Sequence, residues 1–278
     1  MLCFPNAKIN LGLNITEKRS DGFHNIETVF YPIGWNDALE IILVNQEEVD
    51  SDLKQEFNIH LSGLKIQGEL KDNLLYKAYF LIKAIKPVVP IEVYLHKNLP
   101  MGAGLGGGSA DAAFFINLLN DQLNLNLSAD IRLNIARQLG SDCAFFIKNK
   151  PVYATQKGDV FSPISVDLSN YFIVVVYPNI HSNTKEAYSL IKSKQPDVSI
   201  PDVLKLPIEQ WKDLLKNDFE LSIFSKYPIV QEVKEKLYEN GAIYACMSGS
   251  GSAVFGIFKA EVDLSSVFSF PMWQGKML

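Results

Sequence analysis

Leu99-Pro100-Met101-Gly102-Ala103-Gly104-Leu105-Gly106-Gly107-Gly108-Ser109-Ala110-Asp111 crowds five glycines into seven consecutive positions. Upstream, Ile91-Glu92-Val93-Tyr94-Leu95-His96 alternates apolar and polar residues, the pattern of a strand with one buried face. Downstream, Ala112, Ala113, Ile116, Leu119 and Leu123 recur at helical spacing. A glycine-rich turn that opens a helix exposes backbone N–H groups at the positive end of the helix dipole, an arrangement that favours an anion such as phosphate. Glycine allows close approach of the backbone and tolerates positive φ. A merely tight turn has no need of five glycines.

Two better-known loops are set aside. The run lacks Gly-Lys-Ser/Thr and is therefore not a Walker A loop. Gly102–Gly107 satisfies G-x-G-x-x-G, but a Rossmann unit needs an acidic residue at the end of a second strand about 20 residues on. Here that interval is the helical stretch Asn117–Leu123, with Asp121 inside it.

The surrounding chain gives a soluble, mixed α+β reading. Its 278 residues are 47% hydrophobic and 21% charged, enough for one large or two modest domains. A net charge of -5 offers no chain-wide basic footprint for nucleic acid. Cys3, Cys143 and Cys246 are scattered, and His24, His60, His96 and His181 form no metal-ligand spacing. No targeting segment is visible, and the apolar run Tyr171–Tyr177 is too short to cross a bilayer. The cytoplasm is the expected compartment, with no membrane association and no obligate protein partner.

Ala7–Asn14, Glu27–Pro32 and Ala38–Val44 read as strands, with Lys8, Asn10 and Gly12 sharing one face of the first. Asp72–Ile85 reads as a helix, and Ser128 as the N-cap of another that runs to Leu139 and is closed by Gly140. The rhythm changes after Lys148-Asn149-Lys150-Pro151, which places a boundary between residues 1–150 and 151–278. Beyond it, strands are expected at Pro151–Thr155 and Phe172–Tyr177. Helices follow near Thr184–Ile191, Ile208–Leu215 and Pro228–Tyr238, then a strand–turn–strand unit over Ala242–Phe258. Strands and helices do not alternate strictly, which favours α+β over a doubly wound fold.

Three other features carry chemistry only in combination. Asp142, in Gly140-Ser141-Asp142-Cys143, is either a reactive carboxylate or the cap of the next turn. Lys8 is either a functional cation or one residue of a solvated strand face. Ser248-Gly249-Ser250-Gly251-Ser252 is either a hairpin connection or a second backbone nest.

Their order along the chain is more specific. Pro5-Asn6-Ala7-Lys8-Ile9-Asn10-Leu11, then Pro100–Ala110, then Gly140-Ser141-Asp142, then Ser248–Gly256 resembles the GHMP kinases, over nearly the whole chain. Arg19-Ser20-Asp21-Gly22-Phe23-His24 is similar to the branch of that superfamily that acts on a methylerythritol carrying a cytidine diphosphate group. The resemblance implies a two-domain α+β kinase with its active site in the cleft between domains. Residues 1–150 would be the nucleotide-binding domain and 151–278 the C-terminal domain. ATP would be the co-substrate with Mg²⁺, whose ligands the motifs do not reveal, and a 2-hydroxyl the acceptor.

By the same resemblance Asp142 accepts the hydroxyl proton and Lys8 is its cationic partner. Pro100, Met101, Gly102, Ala103, Gly104, Leu105, Gly106, Gly107, Gly108, Ser109 and Ala110 cradle the ATP phosphates. Asn73, Leu74 and Lys97 lie near the adenine and ribose. Asn10, Phe23, His24, Thr184 and Tyr188 face the substrate, with the cytosine between Phe23 and Tyr188. Phe23 departs from the tyrosine frequent at that position, which keeps the ring and removes the hydroxyl. Homoserine- or mevalonate-type kinases and a non-catalytic nucleotide-binding module are the competing classes. Retention of both Lys8 and Asp142 argues against the last.

Overall fold

The computed structural model describes residues 1–44, 56–66, 68–182, 187–188, 191 and 193–278. The chain divides into two compact units. One comprises Met1–Asn6, Asn36–Pro100 and Gly106–Asn149; the other comprises Ala7–Trp35, Met101–Leu105 and Lys150–Leu278. The residues before Lys150 are thus shared between both, and the middle of the glycine run is counted with the second unit.

In the first unit, β1 (Leu2–Cys3), β4 (Ala38–Leu43), β6 (Ile91–Lys97) and β5 (Phe57–Gly63) form a sheet in the order β1-β4-β6-β5. Only the β5–β6 pair is parallel. Ile91, Val93, Leu95 and Lys97 alternate into the interior from β6. Helices α1 (Leu74–Lys83), α2 (Gly107–Gln122), α3 (Ala129–Leu139) and α4 (Cys143–Lys148) complete the unit. Phe57 joins sheet to helices, with its ring 5.5 Å from Tyr79 and 6.2 Å from Phe115.

The second unit holds two four-stranded sheets. One runs β2 (Asn6–Lys18), β3 (His24–Asn36), β7 (Val152–Thr155), β8 (Val160–Pro163). The other runs β10 (Tyr244–Met247), β11 (Val254–Phe258), β9 (Phe172–Val176), β12 (Met272–Lys276). Its core gathers Val174, Val176, Ala245, Met247 and Val254 against Phe219, Val230, Val233 and Leu237 of the helices Phe219–Lys226 and Pro228–Glu239.

Most expected elements stand where the periodicity put them, and the differences have physical reasons. Ser128 caps α3 through the Ile131 N–H, as expected. Gly140 closes that helix at φ 168°, an extended backbone that any residue adopts, so the left-handed cap is absent. Ile208–Leu215 divides into a 3₁₀ turn, Ile208–Gln210, and one helical turn, Trp211–Leu214. The helix expected near Thr184–Ile191 falls largely outside the described residues; Ala187 and Tyr188 of it are helical. β2 is buried along both faces as far as Leu13, so the face bearing Lys8 does not meet water. Strands β5 and β12 and the helix Phe219–Lys226 had no expectation attached.

Candidate active site

The middle of the glycine run is held by its carbonyls. Ala103 O accepts from Ala253 N at 3.0 Å, and Leu105 O accepts from Lys8 N at 2.9 Å. Between them Gly104 O accepts twice, from Lys8 Nζ at 3.0 Å and from Ser248 Oγ at 2.9 Å. In a trans peptide the next N–H lies on the opposite side from the carbonyl. Turning three successive carbonyls into the protein therefore aims the following N–H groups away from it, the geometry an anion needs. Gly104 has φ +78°, and a Cβ there would lie 2.0 Å from Ser248 O, so no larger residue fits.

Lys8 stands at the centre of this arrangement. It is only 3% exposed, and its ammonium donates to Asn10 Oδ1 at 2.6 Å as well as to Gly104 O. It lies 5.0 Å from the centroid of the Phe30 ring, within cation–π range. Asn10 is fully engaged: its backbone N–H donates to Ser248 Oγ at 3.3 Å, and its Nδ2 donates to Thr28 Oγ1 at 2.9 Å. The Thr28 hydroxyl in turn donates to Gly12 O at 2.5 Å. Asn10, matched to the substrate side in the sequence, also braces Lys8 from within. The Ser248–Ser252 segment is the β10–β11 connection and also the clamp on the loop. Asn217 secures it by donating to Met247 O and Gly249 O at 2.7 and 2.8 Å. Thr28 and Asn217 were not legible as participants.

In the first unit the run continues as the start of α2. Gly106 is its N-cap at φ 74° and supplies no side-chain acceptor. Phosphate oxygens are the natural partners of such free first-turn N–H groups. Ser109, in that first turn, hydrogen-bonds the Cys143 thiol, while burial pushes the thiol up to about 11. Cys3 is likewise raised to about 12 by burial, so both remain neutral thiols. Asn73 caps α1, accepting from Leu75 N at 2.9 Å, and Leu74 follows it. Asp142 occupies the N-cap position of α4 in the αR conformation, and its side chain makes no capping hydrogen bond. The capping role that competed for Asp142 is not what the carboxylate does.

Lys97 was expected near the adenine and ribose. Its side chain is wholly buried, and its ammonium is paired with Asp37 and, at 2.7 Å, with Asp111.

On the expected substrate side, Phe23 is 60% exposed, which rules out a core role for the ring. Lys157 Nζ lies 5.3 Å from its centroid. His24 stacks on Tyr188, with centroids 4.7 Å apart and planes 12° from parallel. The Phe219 edge meets Tyr188 at 4.8 Å. His24, rather than an open space facing Phe23, therefore occupies a face of Tyr188. Burial, then the Lys18 charge, lowers the His24 pKa, so the ring is neutral near pH 7 and offers one donor and one acceptor. Thr184 lies outside the described residues.

Two family models match the chain: the GHMP kinases N terminal domain over residues 73–150, and the GHMP kinases C terminal domain over residues 199–270. A 4-diphosphocytidyl-2-C-methyl-D-erythritol kinase from Bacteroides fragilis is 51% identical, covering 97% of this chain and 98% of that protein. The chain belongs to this family of GHMP kinases. A Cytophaga hutchinsonii protein of the same name is 51% identical, over 95% of this chain and 94% of its own. The crystal structure of a 4-(cytidine 5'-diphospho)-2C-methyl-D-erythritol kinase superposes with TM-score 0.76 at 28% identity, over 92% of this chain and 90% of that one. The Methanococcus jannaschii mevalonate kinase, 13% identical with TM-score 0.73, shares the fold. No helix among the described residues of this kinase is long and apolar enough to cross a membrane.

Proposed function

We propose that this kinase transfers the γ-phosphoryl group of ATP to the 2-hydroxyl of 4-diphosphocytidyl-2-C-methyl-D-erythritol, in the cytoplasm, within non-mevalonate isoprenoid precursor biosynthesis. The near-full-length 51% identity to relatives bearing that name is the observation that carries the substrate. The N-terminal family match ends at residue 150, which supports reading 1–150 and 151–278 as the two functional halves.

In this reading the N–H groups of residues 102–110 hold the ATP phosphates, and the substrate hydroxyl oxygen attacks the γ-phosphorus. The bond to the bridging oxygen of ADP breaks, and Asp142 takes the hydroxyl proton. Lys8, directed by Asn10, offsets charge on the transferred group. Phe23 supplies an exposed ring for the cytosine, and the His24 ring edge supplies polar contacts to it.

Mg²⁺ enters as part of the MgATP substrate. The described residues contain no cluster of three or more His, Cys, Asp or Glu suited to a resident metal. Mg²⁺ in kinase sites needs only one or two protein carboxylates beside the phosphates.

The test is turnover by the purified protein with ATP and the cytidyl substrate, following ADP release and the phosphorus spectrum of the product. Mevalonate and homoserine are run in parallel. Phosphorylation of either of those, with none of the cytidyl compound, would overturn the substrate assignment. Absence of turnover with all three would overturn the kinase reading.

A further inference from the structure

The two ends of the glycine run that lie in the first unit converge on one buried charge cluster. Asp37 sits between β3 and β4, and its Oδ1 accepts from both Asn98 N at 2.6 Å and Leu99 N at 2.8 Å, where β6 turns into the loop. Its other oxygen takes the Lys97 ammonium. That ammonium also donates at 2.7 Å to Asp111, at the start of α2. All three side chains are 2% exposed or less. A Cβ on Gly107 would lie 3.4 Å from Lys97 Nζ and 3.1 Å from Leu99 Cβ, so the first helical turn is packed directly on the brace. Asp111 Oδ1 is buried without a hydrogen-bond partner among the described residues.

We infer that Asp37, Lys97 and Asp111 form a proton-holding brace that positions the entry and exit of the phosphate loop, and that ATP is gripped best when the cluster carries no net charge. The proposal rests on the ATP reading of that loop. One cation between two ionised carboxylates leaves a buried negative charge at the start of the helix expected to receive a triphosphate. A proton on Asp111 removes it. Burial raises the Asp111 carboxyl to about 7; Lys97 pulls it down and Asp37 pushes it up. Among the described residues, the titratable groups that face it are Lys97 on β6, Asp37 before β4, and Cys3 on β1, whose thiol stays neutral. Lys97 and Asp111 are positioning residues: they act on ATP through the backbone they hold.

The experiment compares the pH dependence of KM for ATP in the wild-type enzyme and in Asp111→Asn, which keeps the shape and stays neutral. From about pH 6 to about pH 8.5 the wild-type KM should rise about tenfold relative to the variant, the change carried by one unit of pKa difference between free and bound states. The nucleotide's own titration is common to both enzymes and cancels in the ratio. In kcat the two pH profiles should run parallel, which a merely structural lesion would not arrange. A constant ratio of KM values across that range overturns the proposal while leaving the kinase reading intact. Failure of the wild-type enzyme to use ATP at any pH overturns both. If Asp111→Asn does not fold, calorimetric ATP affinity of the wild type decides alone. Proton release or uptake on binding, measured in two buffers of different ionisation enthalpy, should then show Asp111 protonating as ATP binds at about pH 8, and none beyond that of ATP itself overturns the brace.

Discussion

Lys8 and Lys97 both lie on strands and are almost completely buried, yet they end in different company. Lys97 is closed between the two carboxylates of Asp37 and Asp111, and its charge is spent on joining β6 to α2. Lys8 donates to two neutral oxygens, a carboxamide and a peptide carbonyl, which fix its direction. The Asn10 and Gly104 oxygens set the direction of the Lys8 ammonium, whereas the carboxylates flanking Lys97 quench its outward field. Burial alone therefore does not tell what a lysine does; the groups it is held by have to be read as well.

The largest effect expected under that comparison falls on the Lys8 side. Asp142→Asn keeps the shape and removes the base, and turnover should fall by about 10²–10⁴ with ATP affinity little changed. Near-wild-type turnover would make Asp142 structural and leave Lys8 without the chemistry assigned to it. Lys97→Met addresses the other side. It strands two buried carboxylates, and losing one partner of a buried ion pair costs about 3–5 kcal/mol. Urea unfolding should reveal that loss; a variant as stable as wild type would show that Lys97 is not the brace described. The smallest effect is expected away from both lysines. Phe23→Ala should weaken binding of the cytidyl substrate by roughly 1–3 kcal/mol, the worth of stacking one base on an aromatic ring. Because the ring is exposed, the unfolding midpoint should not move. A lowered midpoint with unchanged substrate KM would return Phe23 to a packing role.

The glycine run, the helix behind it and the strand before it were legible because each signal is local. The Ser128 cap and the β10–β11 hairpin are local too. What escaped was set by partners distant in sequence. Asp37 follows Gly34-Trp35-Asn36 and looks like an ordinary turn residue; only its 61- and 62-residue reach to Asn98 and Leu99 gives it a role. Asp111 sits in a helix where an acidic side chain usually faces water, and nothing local to Lys97 marks its two carboxylate partners, Asp37 and Asp111. Strand β5 carries Asn58, His60 and Ser62, whose polarity hides a strand formed by parallel pairing to β6. Asn10 was matched to the substrate side, and its bonds inside the protein were not foreseen. Its inward role depends on Thr28 and Ser248, 18 and 238 residues away.

The triple anchoring of Ala103, Gly104 and Leu105 carries a kinetic consequence. A loop whose peptide planes are already set loses little further freedom when a ligand arrives, because the ordering cost is incurred during folding. Nucleotide association should then follow a single exponential whose rate grows linearly with nucleotide concentration, with no slow loop-closing phase to saturate it. Loosening the anchor at Ser248 would convert a fixed receptor into one that must be shaped on each encounter.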